Sequence, residues 1–446
     1  MKRHCRTTVL LFFTVNCSLH GAWQAGAAAV DITLKESIWL AGYSDRTQPS
    51  QSVRQPIHTK ALALKDDAGT VSVVITMDLV GVQRDLAEQV ARRAASELRL
   101  PRERLIFNAS HTHSAPVVGD FSMYSPIMGR YLEGQKEAIG RYAQELPKLI
   151  FDAIAKSIAN LRPAALSFEQ GYAGFAVNRR RVGHREYFGP VDQDVPVLAV
   201  KGADGRMIAI LFGYACHNTV MNDSTVHGDY AGYAQLYLEQ RFPGTVALFM
   251  QGGGADSNPL PRRKPEHLER YGATLADAVQ EVVQRGMKPI TGTVAATIEF
   301  PELAYEGPFD RSRWLEETKS AEVRQADHGR RMLDILDHGA SIPQSRGYAV
   351  EAWQFGKGLT LIALAGEVMA DYALKFKSQF GPDSTWIAGY SNDSCGYIPS
   401  LRVWKEGGYE GGESFRFTNF PGRWRSDIED RISAAVERVV TKVRAQ

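Results

Sequence analysis

One stretch constrains this chain more than any other: Leu105-Ile-Phe-Asn-Ala-Ser-His-Thr-His-Ser-Ala-Pro116. Leu105 to Phe107 are apolar enough to form a buried strand. The run stops at two polar rings, His111 and His113, and Pro116 closes it. Residues two apart on an extended segment point the same way. Both imidazoles are therefore expected to face one pocket at a strand end, where loops carry function. One ring can ligate a metal while the other handles protons. The competing reading is a pair of surface histidines at a strand exit.

The remainder alternates between strand and helix patterns. Strands are expected over 28–33, 60–64, 70–78, 164–168, 195–200, 207–212, 245–250, 350–355 and 359–364. Helical spacing runs through 86–98, 132–160, 230–241, 265–285, 311–336, 367–380 and 428–443. This alternation predicts an α/β fold, or α+β, with layered mixed β-sheets flanked by helices. No Pro- or Ser-rich linker and no short repeat interrupts it, so one large catalytic domain is expected rather than a tandem of modules. A chain of 446 residues that is 44% hydrophobic can bury a sizeable core.

The formal charge of +2 implies neither a nucleic-acid partner nor an acidic substrate. Lys2, Arg3 and Arg6, with no acid nearby, make a basic start before the short apolar run Val9 to Val15. That pattern is a signal peptide over residues 1–24, with the cleavage site somewhere between Leu19 and Gly26. Without its three charges the rest of the chain falls from +2 to −1. Cys17 invites a lipoprotein reading, but Asn16 fits a lipobox poorly, so no lipid anchor is expected. No later stretch is long and apolar enough for a membrane span. The expected location is the periplasm or the outside. Cys5 and Cys17 belong to the leader, which leaves Cys216 and Cys395.

Further stretches share the property of the first: an apolar strand runs into residues that chemistry uses. Leu211 to Asn218 delivers His217 beside Asn218. Asn222 to Tyr230 offers His227 as a further ligand and Asp229 as a helix cap or a support for an imidazole. Gln251-Gly-Gly-Gly-Ala-Asp-Ser-Asn-Pro259 is either an anion nest of free N–H groups or a tight strand-to-helix turn. Leu361 to Val368 ends on Gly366-Glu367. Glu367 can be a metal ligand or a favourable charge in the first turn of a helix. Gly389 to Pro399 and Glu406 to Gly411 set Tyr397 and Tyr409 among glycines, as substrate walls, as donors to an oxyanion or a metal, or as an ordinary aromatic cluster.

Taken together these pieces resemble the neutral (non-lysosomal) ceramidase family over roughly residues 25–440. The resemblance rests on Asp31-Ile-Thr33, Gly42-Tyr-Ser44, Asn108 to Pro116, Asn178-Arg179, His217, Gly228-Asp229 with Gly232-Tyr-Ala234, Gln251 to Pro259, Gly366-Glu367, and the pair Tyr397 and Tyr409. It implies one zinc ion per chain, held by His111, His217, Glu367 and Tyr397. It places His113, Arg179 and Tyr409 around the scissile amide, and Gly42, Gly253, Gly254 and Asn258 along the substrate. Zinc-activated water would then attack the amide carbonyl. If the ligand loops meet at one zinc, Cys216 and Cys395 come near enough for a disulfide.

Two departures qualify what the resemblance implies. Characterised members carry a serine where Asn258 stands, with Ser257 one residue earlier here, which favours zinc-water chemistry over a serine nucleophile. They also carry a C-terminal immunoglobulin-like domain, and none is expected after the C-terminal helix of residues 25–446. The expected function is an exported zinc amidohydrolase acting on ceramide or a related N-acyl lipid. A zinc hydrolase of the same fold acting on a smaller amide or ester is the alternative, and a secreted non-catalytic binding protein is the third reading. Nothing in the sequence fixes the oligomeric state.

Overall fold

Side-chain alternation along the strands decides how the layers stack. Residues 23–118, 133–182 and 188–446 are described by the computed structural model. A nine-stranded mixed sheet runs in the order Val246–Gln251, Met207–Tyr214, Asp194–Gly202, Arg162–Tyr172, Trp23–Asp31, His58–Lys65, Val71–Met77, Leu105–Ala109, with Lys288–Ile290 also paired to Arg162–Tyr172. A four-stranded sheet runs Val294–Glu299, Val350–Phe355, Leu359–Leu364, Thr385–Ala388. Leu62, Leu64, Val74, Ile106, Leu198 and Leu211 on the large sheet share one core with Trp353, Leu361, Ala363 and Trp386 on the small sheet. Their alternating neighbours face outward. Ala61, Ala63, Val73 and Phe107 pack under helices Arg84–Leu98 and Lys136–Ala159. Ile210, Phe212 and Phe249 pack under Asp229–Arg241 and Pro265–Arg285. Ile362, Leu364 and Ile387 pack under Ala370–Phe380 and Ile428–Arg444. The result is a helix–sheet–sheet–helix α/β fold, because a strand buried on both faces needs a layer on each.

The large sheet is antiparallel at its centre and parallel at each edge. Each parallel pair is joined by a crossover helix, Arg84–Leu98 at one edge and Asp229–Arg241 at the other. The two edges are then tied by one side chain. Asn108 Nδ2 donates to the Gln251 carbonyl at 3.3 Å, and Asn108 Oδ1 accepts from the Gln251 N–H at 2.8 Å. The same Nδ2 also donates to the Gly389 carbonyl at 2.8 Å, so the end of the small sheet is held to the same point.

Several boundaries differ from expectation. The leader lies almost wholly outside the described residues, but a boundary after residue 24 would cut a strand. Trp23 is buried, and its indole Nε1 donates to the Ile290 carbonyl at 2.9 Å. The helix expected over 311–336 is two, Arg311–Glu317 and Val323–Asp337, because the Glu322 carboxylate caps the second by accepting from Arg324 N and Gln325 N. The helix after Gly366 starts at Ala370, so Glu367 is not in its first turn. The disulfide is not formed. Cys216 and Cys395 are free, buried thiols, enclosed in two different cores, one beneath Asp229–Arg241 and one beneath Ile428–Arg444. Among the described residues no helix is long and apolar enough to cross a membrane.

Replacing Asn108 by a side chain of similar size without its amide tests the tie between the edges. Asn108→Leu should lower the unfolding free energy by about 1–3 kcal/mol for each buried group left unpaired, starting with the Gln251 N–H. Urea denaturation of the variant against the parent measures it.

Candidate metal centre

The strand Leu105–Ala109 delivers the first two imidazoles, though not by remaining extended. Ser110 N donates to the Met77 carbonyl and His111 N to the Leu79 carbonyl, both at 2.9 Å, and His111 then turns into the left-handed region with φ 62°. That conformation is costly for a residue with a Cβ and persists only where its surroundings impose it. The expected geometry, two rings on one face of a strand, is corrected in its cause. The turn at His111 brings the rings together, with His113 Nε2 3.1 Å from His111 Nε2. Both rings are buried, which excludes the reading as surface histidines.

His217 arrives from the opposite edge, after Met207–Tyr214. Its N–H donates to the Ser257 carbonyl at 3.0 Å, and its Nδ1–H donates to the Gly254 carbonyl at 3.0 Å. His111 is fixed in the same way, with Nδ1 2.6 Å from the Val80 carbonyl. A carbonyl only accepts, so in both rings the proton sits on Nδ1 and the Nε2 lone pair faces inward. Glu367 completes the set. It lies in the short strand Glu367–Val368, paired in parallel register with Tyr397–Ile398, which places Glu367 beside Tyr397. Glu367 Oε2 is 3.4 Å from His111 Nε2 and 3.4 Å from His217 Nε2, and this buried oxygen has no hydrogen-bond donor.

Electrostatics match this geometry. Burial, together with the Arg179 charge, pushes the His217 pKa down to about 4, which keeps it neutral. Burial and then the two neighbouring imidazoles hold His113 well below its ordinary value. For Glu367 burial favours the neutral acid, while the positive charge that His111 and His217 carry when protonated draws the carboxyl well below its usual range. The Nε2 atoms of His111 and His217 and the Glu367 carboxylate thus converge, with His113 Nε2 and Arg179 Nη1 beside them. Such a donor set fits a divalent cation, and two neutral imidazoles with a carboxylate suit zinc. A second donor set overlaps it, because ring nitrogens of His111, His113 and His217 all lie within 4.8 Å of one another.

Arg179 closes one side. Its Nε donates to Glu410 Oε1 at 2.7 Å, Nη2 to the Tyr397 hydroxyl at 2.9 Å, and Nη1 lies 3.4 Å from His217 Nε2. Tyr409 stands edge-on to Tyr397 with centroids 5.2 Å apart and is 42% exposed, so it forms the rim. Beyond them lies a narrow pocket with a cavity volume of about 30 Å³, walled by Tyr397, Tyr409, Phe415, Phe417, Phe420 and Trp424.

Other expected residues take different places. Gly42 backs directly onto His113, since a Cβ there would sit 2.3 Å from the ring. The anion nest does not form: the N–H groups of Gly252, Gly254, Ala255 and Ser257 all donate to backbone carbonyls. Gly254 instead orients His217, and a Cβ on it would lie 2.3 Å from the Ala215 carbonyl carbon. Gly253 is buried against the Met369 backbone. Asn258 is buried in a short strand paired with Ala176–Asn178, its Oδ1 accepting from the Thr219 hydroxyl at 3.4 Å. Ser257 is fully buried in the same strand. His227 stands outside the cluster, its Nε2 3.6 Å from Asp223 Oδ1. Asp229 spends its carboxylate on the N–H groups of Val220, Met221 and Tyr230. It ties a loop to the helix start rather than supporting a ring.

Three residues beside the centre were given no role of their own in the sequence. Tyr390 lies over His111 with centroids 4.5 Å apart, Tyr43 packs edge-on to His113 at 4.7 Å, and Glu410 holds Arg179. The tripeptide Gly-Tyr-Ser occurs at both 42–44 and 389–391. That repetition was the available clue, since each of its tyrosines covers one histidine of the pair.

Comparison with known proteins agrees with the geometry. Residues 23–259, just over half of the chain, match the profile of the neutral/alkaline non-lysosomal ceramidase N-terminal region. The chain belongs to this family. No curated relative matches its sequence. The neutral ceramidase from Pseudomonas aeruginosa superimposes with TM-score 0.74 at 17% identity, covering 95% of this chain and 75% of that one. A ceramidase complexed with C2 gives TM-score 0.73 at 16% identity, covering 95% of this chain and 76% of that one. At such identities these structures establish the shared fold.

Gly42 offers a test of how closely His113 must be placed. Gly42→Ala should leave the chain folded but displace the ring, because Gly42 also has φ 98°. A displacement near 1 Å should cost roughly 10²-fold in turnover on whatever substrate the parent enzyme accepts, measured alongside circular dichroism to confirm folding.

Proposed function

We propose that the protein is an exported, zinc-dependent amidohydrolase that cleaves an N-acyl amide, ceramide or a related N-acyl lipid. The observation that carries this reading is the Glu367 carboxylate oxygen set 3.4 Å from two Nδ1-fixed imidazoles, with no donor of its own, beside an aromatic pocket. The preferred ligands are His111, His217, Glu367 and Tyr397, one zinc per chain. When bound, zinc supplies a Lewis acid and lowers the pKa of water toward about 7. Gly42 lies on the His113 side of this centre, and Gly254 and Asn258 support it from behind.

The chain's own residues account for the rest. The aromatic side chains beside Glu367 offer an apolar wall against which an acyl chain leaves water, with the carbonyl next to the carboxylate. Arg179, fixed by Glu410, presents Nη1 toward that point and suits the charge that develops on the carbonyl oxygen. Hydrolysis breaks the C–N bond, adds the water oxygen to the acyl carbon and delivers one proton to the nitrogen. His113, whose buried Nδ1 has no partner, is the group that carries that proton. Tyr409 at the rim orients the amide. Export rests on the basic and apolar leader pattern, with cleavage ahead of the strand that begins at Trp23, and the rest of the chain forms the one catalytic unit.

Metal analysis and hydrolysis on the same purified protein test this reading. We expect about one zinc per chain and cleavage of a fluorescent short-chain ceramide or a simple N-acyl amine. His111→Ala should lose metal and activity together. His113→Ala should keep the metal and lose turnover by about 10²–10⁴-fold. Metal lost from His113→Ala as well would assign the ion to the three-imidazole set. A metal-free, inactive parent protein would discard the reading.

A further inference from the structure

Arginines on the His113 side of the centre have no part in the hydrolysis proposed above. Arg262 is half-buried, and its one side-chain bond among the described residues runs from Nη1 to the Thr219 hydroxyl at 3.5 Å. Arg263 donates from Nη1 to the Tyr43 hydroxyl at 2.9 Å, and its Cζ lies 5.0 Å from the Tyr43 ring centroid. Arg46 covers the same ring at 5.2 Å and donates to the His113 carbonyl at 2.7 Å. Tyr43 itself packs against His113. Three guanidinium groups therefore gather around one tyrosine at the edge of the candidate centre.

Two of the three, Arg262 and Arg263, lack a carboxylate partner among the described residues. Arg179 and Arg180 share Glu410, Arg402 has Asp371, and Arg346 has Asp393. The bonds of Arg262 and Arg263 go to neutral hydroxyls. The neighbouring acids are engaged elsewhere. Asp223 pairs with Arg54 at 3.1 Å, and Asp229 accepts three backbone N–H groups. Asp45 adds its charge near Arg46. Burial first, and then the repulsion of Arg263, lowers the Arg262 pKa, which is the signature of a cation lacking an anion. Thr219, which Arg262 touches, lies two residues beyond His217 and also bonds Asn258, the residue standing where characterised family members have serine.

The site is thus divided. An apolar wall lies on the Tyr397 and Tyr409 side, and guanidinium groups with no carboxylate partner among the described residues lie on the His113 and Tyr43 side. We propose that the amine half of the substrate carries an anionic group close to the amide nitrogen, a carboxylate or a phosphate, held by Arg262 and Arg263, with Tyr43, whose hydroxyl donates to the Met221 carbonyl at 2.9 Å, positioning Arg263. Guanidinium forks recognise both anions through paired, charge-assisted hydrogen bonds. The inference rests on the amidohydrolase reading and narrows its substrate class from N-acyl amides in general to acidic ones.

Three substrates with the same acyl chain test it on the metal-loaded enzyme: an N-acylglycine, an N-acyl phosphoethanolamine and a neutral N-acylethanolamine. At least one acidic substrate should exceed the neutral one in kcat/KM by tenfold or more, and added salt should shrink the advantage. Arg262→Gln with Arg263→Gln should lower the acidic-to-neutral ratio at least fivefold, and the Lys/Lys pair should restore part of it. Preference for carboxylate identifies an N-acyl amino acid, and preference for phosphate a phosphorylated amine. Equal or faster cleavage of the neutral substrate overturns the inference and leaves amide hydrolysis standing. If none is cleaved, the amidohydrolase reading fails, and thermal shifts then decide the anion site separately. A shift with N-acylglycine but not its amide, lost in Gln/Gln, upholds the anion site, and its absence overturns both.

Discussion

The side-chain amide of Asn108 is the interaction on which the rest of the structure depends. A backbone strand offers one N–H and one C=O per residue. Asn108 reproduces that pair with its side chain and so joins two edge strands that no ladder connects. It adds a bond to the Gly389 carbonyl, and the backbone of Asn108 bridges Ser391. Three segments distant in sequence converge at this buried amide. One leads to His111 and His113, one to the glycine loop behind His217, and one to Tyr390 and Tyr397. In a low-dielectric core such a group is favourable only when every bond is made, so it fixes one arrangement and penalises others.

Downstream of that tie, the candidate centre is organised by carbonyl groups rather than by its own ligands. The Val80 and Gly254 carbonyls set the tautomers of His111 and His217, and the Gly396 carbonyl accepts from the Glu367 N–H at 2.8 Å. The left-handed turn at His111 is the local cost, held in place by backbone bonds on either side. The tyrosines of the two Gly-Tyr-Ser tripeptides cover the histidine pair. They leave an opening between an aromatic wall and a cluster of arginines, and that division directs attention to the two halves of an amide.

Much of the fold was legible because burial leaves a periodic trace. Val350–Phe355 and Leu359–Leu364 begin and end where their apolar runs do, and Pro265–Arg285 follows its helical stripe from a first-turn proline. Legibility failed where a single side chain redirected the chain. Glu322 restarts a helix that its spacing would carry through. The glycine loop was open to two readings from its composition, because glycine permits both a nest and a tight turn. The packing of Gly254 against Ala215 decided for the turn.

By itself the sequence determined which residues stand at strand ends: His111, His217 and Glu367 each follow an apolar run whose burial is set by composition and period. It also carried the family pattern and the departure at Asn258. Only the tertiary structure decided that these ends meet. It also decided which ring nitrogens point inward, that Cys216 and Cys395 lie in separate cores, and that, among the described residues, Arg262 and Arg263 have no carboxylate partner near Tyr43. The physical reason is that strand formation depends on neighbours a few residues away. Convergence depends on bonds such as Asn108 to Gln251, made across 143 positions and carrying no local signal.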